Sequence, residues 1–465
     1  MLPETAPPRV VVPVPVPVPV AAASVLRRAA APAATVPALR RASVTAASAL
    51  AVLAVLAVLA VPPPPAAAGT VRHPAVVSAD PVDTTPHVLD GIVNAIALVG
   101  DTVVVGGRFG RVREAGSARA VERRNLFAYD LATGRILPGF APRPDRPVRA
   151  LAAGDGGTVY AGGEFTAAGG PALRRTGALA RLRLSDGSPV SGFAARIRGG
   201  AVTTLVRDGS ALYAGGGFTH AGGLASPALA RLDAATGAAD PAFGIRPGAP
   251  RGSRVRVHAL ALGGGKLAVG GDFTTLGGLP RAQLGLVDVR AARVDAWRTA
   301  FYAARCARDF PSYVRGLDFA PDGAYFAVVT TGGPRGAGRP CDTAARFETR
   351  PPRASGEVSP TWVNHTGGDS LYAVAATGAA VYVGGHQRWL DNPEGHDSAG
   401  PGAVPRPGIG AIDPRTGRAL PWNPTRDRGI GVKAFLTCPR GLLVGSDTTR
   451  LGHEYHARVG MFPLP

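Results

Sequence analysis

Apolar residues in this chain alternate with small or polar ones in short runs, and the runs recur along the sequence. The clearest is Val159-Tyr160-Ala161-Gly162-Gly163-Glu164-Phe165-Thr166, closed by Gly169-Gly170. Versions stand at Val105-Gly106-Gly107-Arg108-Phe109, Tyr213-Ala214-Gly215-Gly216-Gly217-Phe218-Thr219 and Val269-Gly270-Gly271-Asp272-Phe273-Thr274. Weaker copies are Val383-Gly384-Gly385-His386 and Val444-Gly445-Ser446-Asp447-Thr448. An apolar run that ends in paired glycines predicts a strand leading into a tight, positive-φ turn.

The segment before each run repeats as well. It begins at Val93, Val148, Val202, Val257, Val314, Leu371 and Val432, at intervals of 55, 54, 55, 57, 57 and 61 residues by subtraction. Period-2 apolar placement followed by Gly or Asp-Gly predicts a first strand and a hairpin turn. A third strand follows the glycines, as in Leu126-Phe127-Ala128-Tyr129 and Leu229-Ala230-Arg231-Leu232. It runs into Asp turns such as Asp130 to Gly134 and Asp413 to Gly417, where Asp caps the turn and Gly takes the left-handed position. A fourth segment carries one aromatic per unit: Phe140, Phe193, Phe243, Trp297, Trp362 and Trp422.

Four strands per unit, seven units and no helical periodicity predict an all-β fold, a seven-bladed β-propeller of four-stranded blades. A solenoid needs shorter repeats, and tandem sandwiches need longer units. The seventh unit stops after its third strand, so the stretch from about Val77 to Leu89 is expected to join the last blade and close the ring.

Composition agrees: 46% hydrophobic residues supply a core, and 63 glycines with 44 prolines favour turns over long helices. Residues 69–465 hold the repeats, and what precedes them differs. Residues 1–43 form a leader rich in Pro, Ala and Arg, with a Val-Pro alternation from Val10 to Val20 of polyproline character. Residues 44–68 carry an apolar run, Ala46 to Val61, then four prolines and Ala66-Ala67-Ala68. A basic flank, short apolar segment, helix breaker and small-residue site predict a cleaved secretory signal; the alternative is a membrane anchor over 46–61. Export to the cell surface or the medium is therefore expected.

The chain resembles the delta-60-type β-propeller repeat proteins of bacteria, exported actinobacterial ones above all. The similarity covers roughly residues 80–465. It rests on the GG-x-F-T strands and on Tyr382 to Trp389, Gly408 to Pro414, Gly441 to Thr448 and His453-Glu454-Tyr455-His456. The resemblance implies an exported propeller and brings no catalytic residues with it.

The net charge of +19 invites a nucleic-acid reading, yet only Lys266 and Lys433 among the 51 basic residues are lysine. The arginines are scattered, without the basic and aromatic interleaving of a single-strand groove, so no nucleic-acid partner is expected. A basic surface suits anionic polymers of a cell envelope. Cys306 and Cys341 fall outside the predicted strands, and in an oxidising compartment they are expected to pair; Cys438 reads as a small buried residue.

His453-Glu454-Tyr455-His456 lacks the H-E-x-x-H spacing that puts two histidines on one helix face, so no metal is assigned. Asn364-His365-Thr366 is a glycosylation sequon. No nucleophile elbow, P-loop or dinucleotide fingerprint stands in a suitable context, so no catalytic residue and no cofactor is assigned. The residue after the paired glycines varies: Arg108, Glu164, Gly217, Asp272, His386 and, in the Gly-Ser copy, Asp447. Equivalent positions on every blade would ring one end of the propeller, which makes Arg108, Glu164, Asp272, His386 and Asp447 the candidate ligand-binding residues.

The expectation is an exported, monomeric, non-enzymatic binding module for an envelope polysaccharide or protein. The alternative is a propeller enzyme acting on a polysaccharide through channel-mouth acids such as Glu164, Asp272 and Asp342. A quinoprotein-like oxidoreductase is a further alternative, on the Asp-x-x-Thr-Gly turns. The fifth unit, where Ala327-Val328-Val329-Thr330-Thr331 replaces the glycine pattern, departs furthest from the rest.

Overall fold

The computed structural model describes residues 71–465 except 307–309, 311, 334–338 and 353; the expected leader (1–43) and signal segment (44–68) lie outside the described residues. Among the described residues the chain is all-β, with one 3-10 turn at Phe301–Ala303. No helix among them is long and apolar enough to cross a membrane.

Seven antiparallel sheets follow one another, each begun by a hairpin whose second strand also pairs the third. Their first strands are Ile92–Val99, Val148–Ala153, Val202–Asp208, Arg256–Gly263, Val314–Phe319, Leu371–Ala376 and Ala434–Cys438. Their second strands are Thr102–Arg108, Thr158–Gly163, Ala211–Gly216, Lys266–Asp272, Tyr325–Thr330, Val381–Gly385 and Gly441–Gly445.

Strand periodicity then sends alternate side chains to opposite neighbours. In sheet one, Val103 and Val105 pack with Leu436, Leu443 and Met461 of sheet seven, whereas Val104 packs with Val159, Ala161 and Leu182 of sheet two. The same holds from sheet two through sheet seven, where one apolar cluster fills each gap between consecutive sheets. Each fully buried Val or Leu contributes about 1.5–3 kcal/mol, so stability resides in these gaps. The predicted aromatics seal them: Tyr160 meets Phe193, Tyr213 meets Phe243, and Trp422 lies edge-on to Tyr382 and Phe462.

The paired glycines correct the sequence reading. None of Gly106, Gly107, Gly162, Gly163, Gly215 and Gly216 has a positive φ; all lie inside strands. They are glycine because other atoms occupy the space of a Cβ. At the first glycine that atom belongs to the opening valine of the next sheet. A Cβ on Gly106, Gly162 or Gly215 would stand 2.6 Å from Cγ1 of Val148, Val202 or Val257 respectively, and one on Gly445 would stand 2.5 Å from Cγ1 of Val93. At the second glycine it is a carbonyl of the same hairpin: Ile92 O at 2.1 Å for Gly107 and Pro147 O at 2.3 Å for Gly163. Sheet five, which lacks the pair, moves the small residue across the ladder. Val329 stands where the first glycine would be, and its partner is Gly316, whose Cβ would meet Val329 Cγ2 at 2.7 Å.

The Asp turns form as predicted: Asp130 Oδ1 accepts the amides of Ala132 and Thr133, and Gly134 has φ 70°. The fourth strand is shorter than predicted. It is a paired strand only in sheet four (Arg293–Val294) and sheet five (Trp362–His365). Elsewhere it shrinks to single bridges, Tyr129 to Ile136, Leu182 to Pro189, Leu232 to Ala239 and Ile412 to Ala419. Pro138, Pro189, Pro241 and Pro421 stand at or two residues beyond those bridges, and proline has no amide to extend the ladder. Small hairpins between second and third strands, such as His220–Ala221 with Leu224–Ala225, escaped the sequence reading because each has only two or three residues per strand.

The stretch before sheet one lies along the third strand of sheet seven (Val459–Pro463). Ser78 N donates to Pro463 O at 2.8 Å and Val82 N to Met461 O at 2.9 Å. Val77 N also donates to Tyr382 Oη, and Trp422 Nε1 to Ser78 O, both at 2.9 Å. Cys306 and Cys341 form a disulfide with Cα atoms 5.7 Å apart, and Cys438 is buried and unpaired.

Candidate functional site

Six of the seven first strands carry one irregularity at the same place. Val93 pairs with Gly107 and Ala95 with Gly106, so Asn94 has no partner across the ladder. The same bulge falls at Arg149, Thr203, His258, Arg315 and Tyr372. A bulge re-aims the side chain of its extra residue. In sheet seven the strand begins one residue later, and Lys433 takes the equivalent place, its amide donating to Gly445 O at 2.9 Å. These seven residues and the two that follow each line one cavity of about 230 Å³, to which every sheet contributes three residues.

Two members of the ring tie strands together: Asn94 Nδ2 donates to Val148 O at 2.9 Å and Thr203 Oγ1 to Val257 O at 2.7 Å. The others carry charge or titrate. Arg149 donates Nε and Nη2 to Glu164 Oε1 at 2.8 and 2.6 Å. His258 Nε2 lies 2.8 Å from Asp272 Oδ1, which also accepts from Ser312 Oγ and lies 3.9 Å from Arg315 Nη1. Burial alone would raise the Asp272 carboxyl, but the hydrogen bonds and charges of His258, Ser312 and Arg315 hold it below its ordinary range. Arg315 spends Nη1 and Nη2 on the carbonyls of Val314 and Ser312. Tyr372 Oη lies 3.4 Å from His386 Nδ1, and burial lowers that imidazole. Lys433 Nζ sits 3.0 Å from the centre of the Tyr372 ring, a cation–π contact. Burial pushes the Lys433 ammonium down to about 8; Arg149, Arg315 and Arg426 act in the same direction and Asp447 opposes them.

The residues singled out from the sequence thus form a second tier. Glu164, Asp272 and His386 each hold a ring residue: Arg149, His258 and Tyr372. Asp447 accepts the amides of Ile430 and Gly431 at 2.6 and 3.0 Å. The Arg108 side chain is exposed and makes no hydrogen bond or ion pair among the described residues. The ring residues were missed, although each stands directly after the valine or leucine that opens its repeat. A polar residue of changing identity inside an otherwise constant apolar pattern was the available signal.

The three acids of the enzyme reading do not converge. Glu164 is paired with Arg149 and Asp272 is bonded to His258, and none of Glu164, Asp272 and Asp342 is among the cavity-lining residues. Asp342 is buried beside Ser370, whose Oγ is 2.5 Å from Thr331 Oγ1 and donates to Asp342 Oδ1 at 3.4 Å. Asp342 Oδ2 has no hydrogen-bond partner among the described residues, and burial pushes this carboxyl up to about 7. Asn364 of the sequon is buried, donating to Asp391 and Gly417, so its amide is not presented to a transferase. His456 Nε2 lies 2.9 Å from Glu454 Oε1, and donor atoms of Asp83, Glu454 and His456 fall within 4.8 Å of one another, close enough to share a cation.

No protein-family model matches the chain, and no curated protein does. Among solved structures, it is similar to the computationally designed Ika8 protein at 12% identity and TM-score 0.45, covering 83% of this chain and 100% of that one. The WD40 β-propeller domain of Doa1 aligns at 12% identity and TM-score 0.44, over 82% and 95%. The Cps50 (Swd1) β-propeller domain of Myceliophteria thermophila aligns at 12% identity and TM-score 0.47, over 82% and 99%. Similarity at this level says nothing of ligand or reaction.

Proposed function

We propose that the chain is an exported seven-bladed β-propeller of the delta-60 type whose channel mouth binds a ligand without chemistry. Supporting a closed ring are the apolar cluster shared by sheets seven and one, the Gly445–Val93 contact and the pairing of Ser78 and Val82 with the last strand. The Cys306–Cys341 disulfide suits an oxidising compartment, as does the signal pattern of residues 44–68.

The observation that carries the binding role is the ring of seven different polar side chains. Asn94, Arg149, Thr203, His258, Arg315 and Tyr372 are raised by the same bulge on a repeated backbone, and Lys433 takes the equivalent place in sheet seven. Constant backbone with differing side chains at one concave place is the arrangement of a specific pocket. Catalysis by paired carboxylates is disfavoured because Glu164 and Asp272 are already held by Arg149 and by His258 with Arg315.

The test is a glycan and envelope-polymer array probed with the purified protein at two salt concentrations, beside a Thr203→Val/Tyr372→Ala variant. Binding that persists at the higher salt and is lost in the variant supports the reading. A blank array, or binding that vanishes at moderate salt in both proteins, would leave only the diffuse +19 charge and sink it.

A further inference from the structure

We propose that the channel mouth takes an anionic group, a carboxylate or phosphate on a small solute or chain end, with Lys433 as its direct partner. The inference rests on the binding-module reading and names the ligand's chemistry. Three of the seven ring positions are cations: Arg149, Arg315 and Lys433. Arg149 has Glu164, and Arg315 has two carbonyls and the edge of Asp272. Lys433 Nζ has neither a carboxylate within salt-bridge distance nor a hydrogen bond among the described residues; its contact is the face of Tyr372.

The other lysine shows what a satisfied ammonium looks like in this fold. Lys266 Nζ lies 2.9 Å from Asp288 and 2.6 Å from Asp295. Lys433 has the reverse surroundings: Arg149, Arg315 and Arg426 all repel it, and the one opposing carboxylate, Asp447, is occupied by the Ile430 and Gly431 amides. His258 lines the same cavity but is bonded to Asp272 behind it. A half-buried cation held among like charges is stabilised by any anion that enters, and a neutral ligand offers no such gain. The volume of about 230 Å³ suits one acidic group or a single acidic sugar, not a folded partner.

With only two lysines in the chain, the experiment reads both. The full protein is trace-labelled with acetic anhydride from pH 7 to 10, and acetylation at Lys433 and Lys266 is quantified by mass spectrometry. One arm contains inorganic phosphate, one glucuronate, one glucose, and all are matched in ionic strength with sodium chloride.

Lys433 is expected to label at lower pH than Lys266. Phosphate or glucuronate should slow Lys433 at least threefold, while Lys266 and the glucose arm stay unchanged. Protection by only one of the two anions identifies which chemistry is taken. A Lys433→Gln variant should keep its melting temperature and lose retention of labelled phosphate or glucuronate in equilibrium dialysis.

The proposal is overturned if neither anion protects Lys433 beyond chloride, or if Lys433→Gln binds the protecting anion as the parent does. Neutral glycans retained on the array without protection of Lys433 would sink the anion and spare the binding module. Protection of Lys433 with a blank array would do the opposite.

Discussion

Gly162→Ala should destabilise the protein by about 1–3 kcal/mol, the range for forcing one methyl into a packed interior. Its Cβ would stand 2.6 Å from Val202 Cγ1, 3.0 Å from Val202 Cβ and 3.2 Å from Leu205 Cδ1, all side-chain atoms of the neighbouring sheet that can yield slightly. Replacing glycine also restricts the unfolded chain, which returns about 0.4–1 kcal/mol, so the net cost should sit in the lower half of the range. Gly163→Ala should cost more than 3 kcal/mol by the same reasoning, because its Cβ meets the backbone oxygen Pro147 O at 2.3 Å and the hairpin itself must open. Gly209→Ala is the reference. It has φ 54° and nothing within 4 Å, so it reports left-handed strain alone, about 1 kcal/mol.

The assay is urea unfolding followed by tryptophan fluorescence, with a double-mutant cycle. Val202→Ala alone empties a filled gap, at about 2 kcal/mol. Combined with Gly162→Ala it removes the atom that clashes, so the double variant should be more stable than the sum of the singles by about 1–2 kcal/mol. A Gly162→Ala protein within about 0.5 kcal/mol of the parent, or an additive cycle, would falsify close approach between sheets as the reason for the glycine.

Three further outcomes are expected. Asp342 holds its proton well above the ordinary carboxylate range, to about 7, so its contribution to stability is present at low pH and lost as pH rises from about 4 to about 7. Asp342→Asn, at a position with φ 55° that Asn tolerates, should abolish that loss, an effect of up to about 4 kcal/mol at about 1.4 kcal/mol per unit; parallel stability–pH curves for variant and parent would refute it. Cys306→Ser/Cys341→Ser opens a loop of sequence separation 35 and should cost about 3–4 kcal/mol in urea melts, and a midpoint unmoved by the change or by reductant would count against it. Tyr382→Phe leaves the buried Val77 amide without its acceptor, at about 1–3 kcal/mol, with faster hydrogen exchange confined first to residues 76–82; unchanged protection there would show that the hydroxyl does not hold that segment.

Much of this was determined by the sequence alone. Period-2 alternation set the strands, the 54–61-residue spacing set the unit, and Asp130 and Asp413 with their glycines set the turns, because these are local effects of one or two dihedrals or a short side chain. Cys306 and Cys341 could be paired because both lay outside the strands in one unit.

What the glycines were for could not be read this way. A glycine required by positive φ and one required by a neighbouring valine are the same letter, and only the packing of sheet two on sheet three places Val202 against Gly162. The same limit hid the site. Asn94, Arg149 and Thr203 look like outward residues of a strand until pairing shows one residue too many, and a bulge exists only between two strands. The fate of Asp342, buried with an unpaired oxygen and not among the cavity-lining residues, belongs to the tertiary structure as well, since desolvation is a property of everything that surrounds a carboxyl and not of its place in the chain.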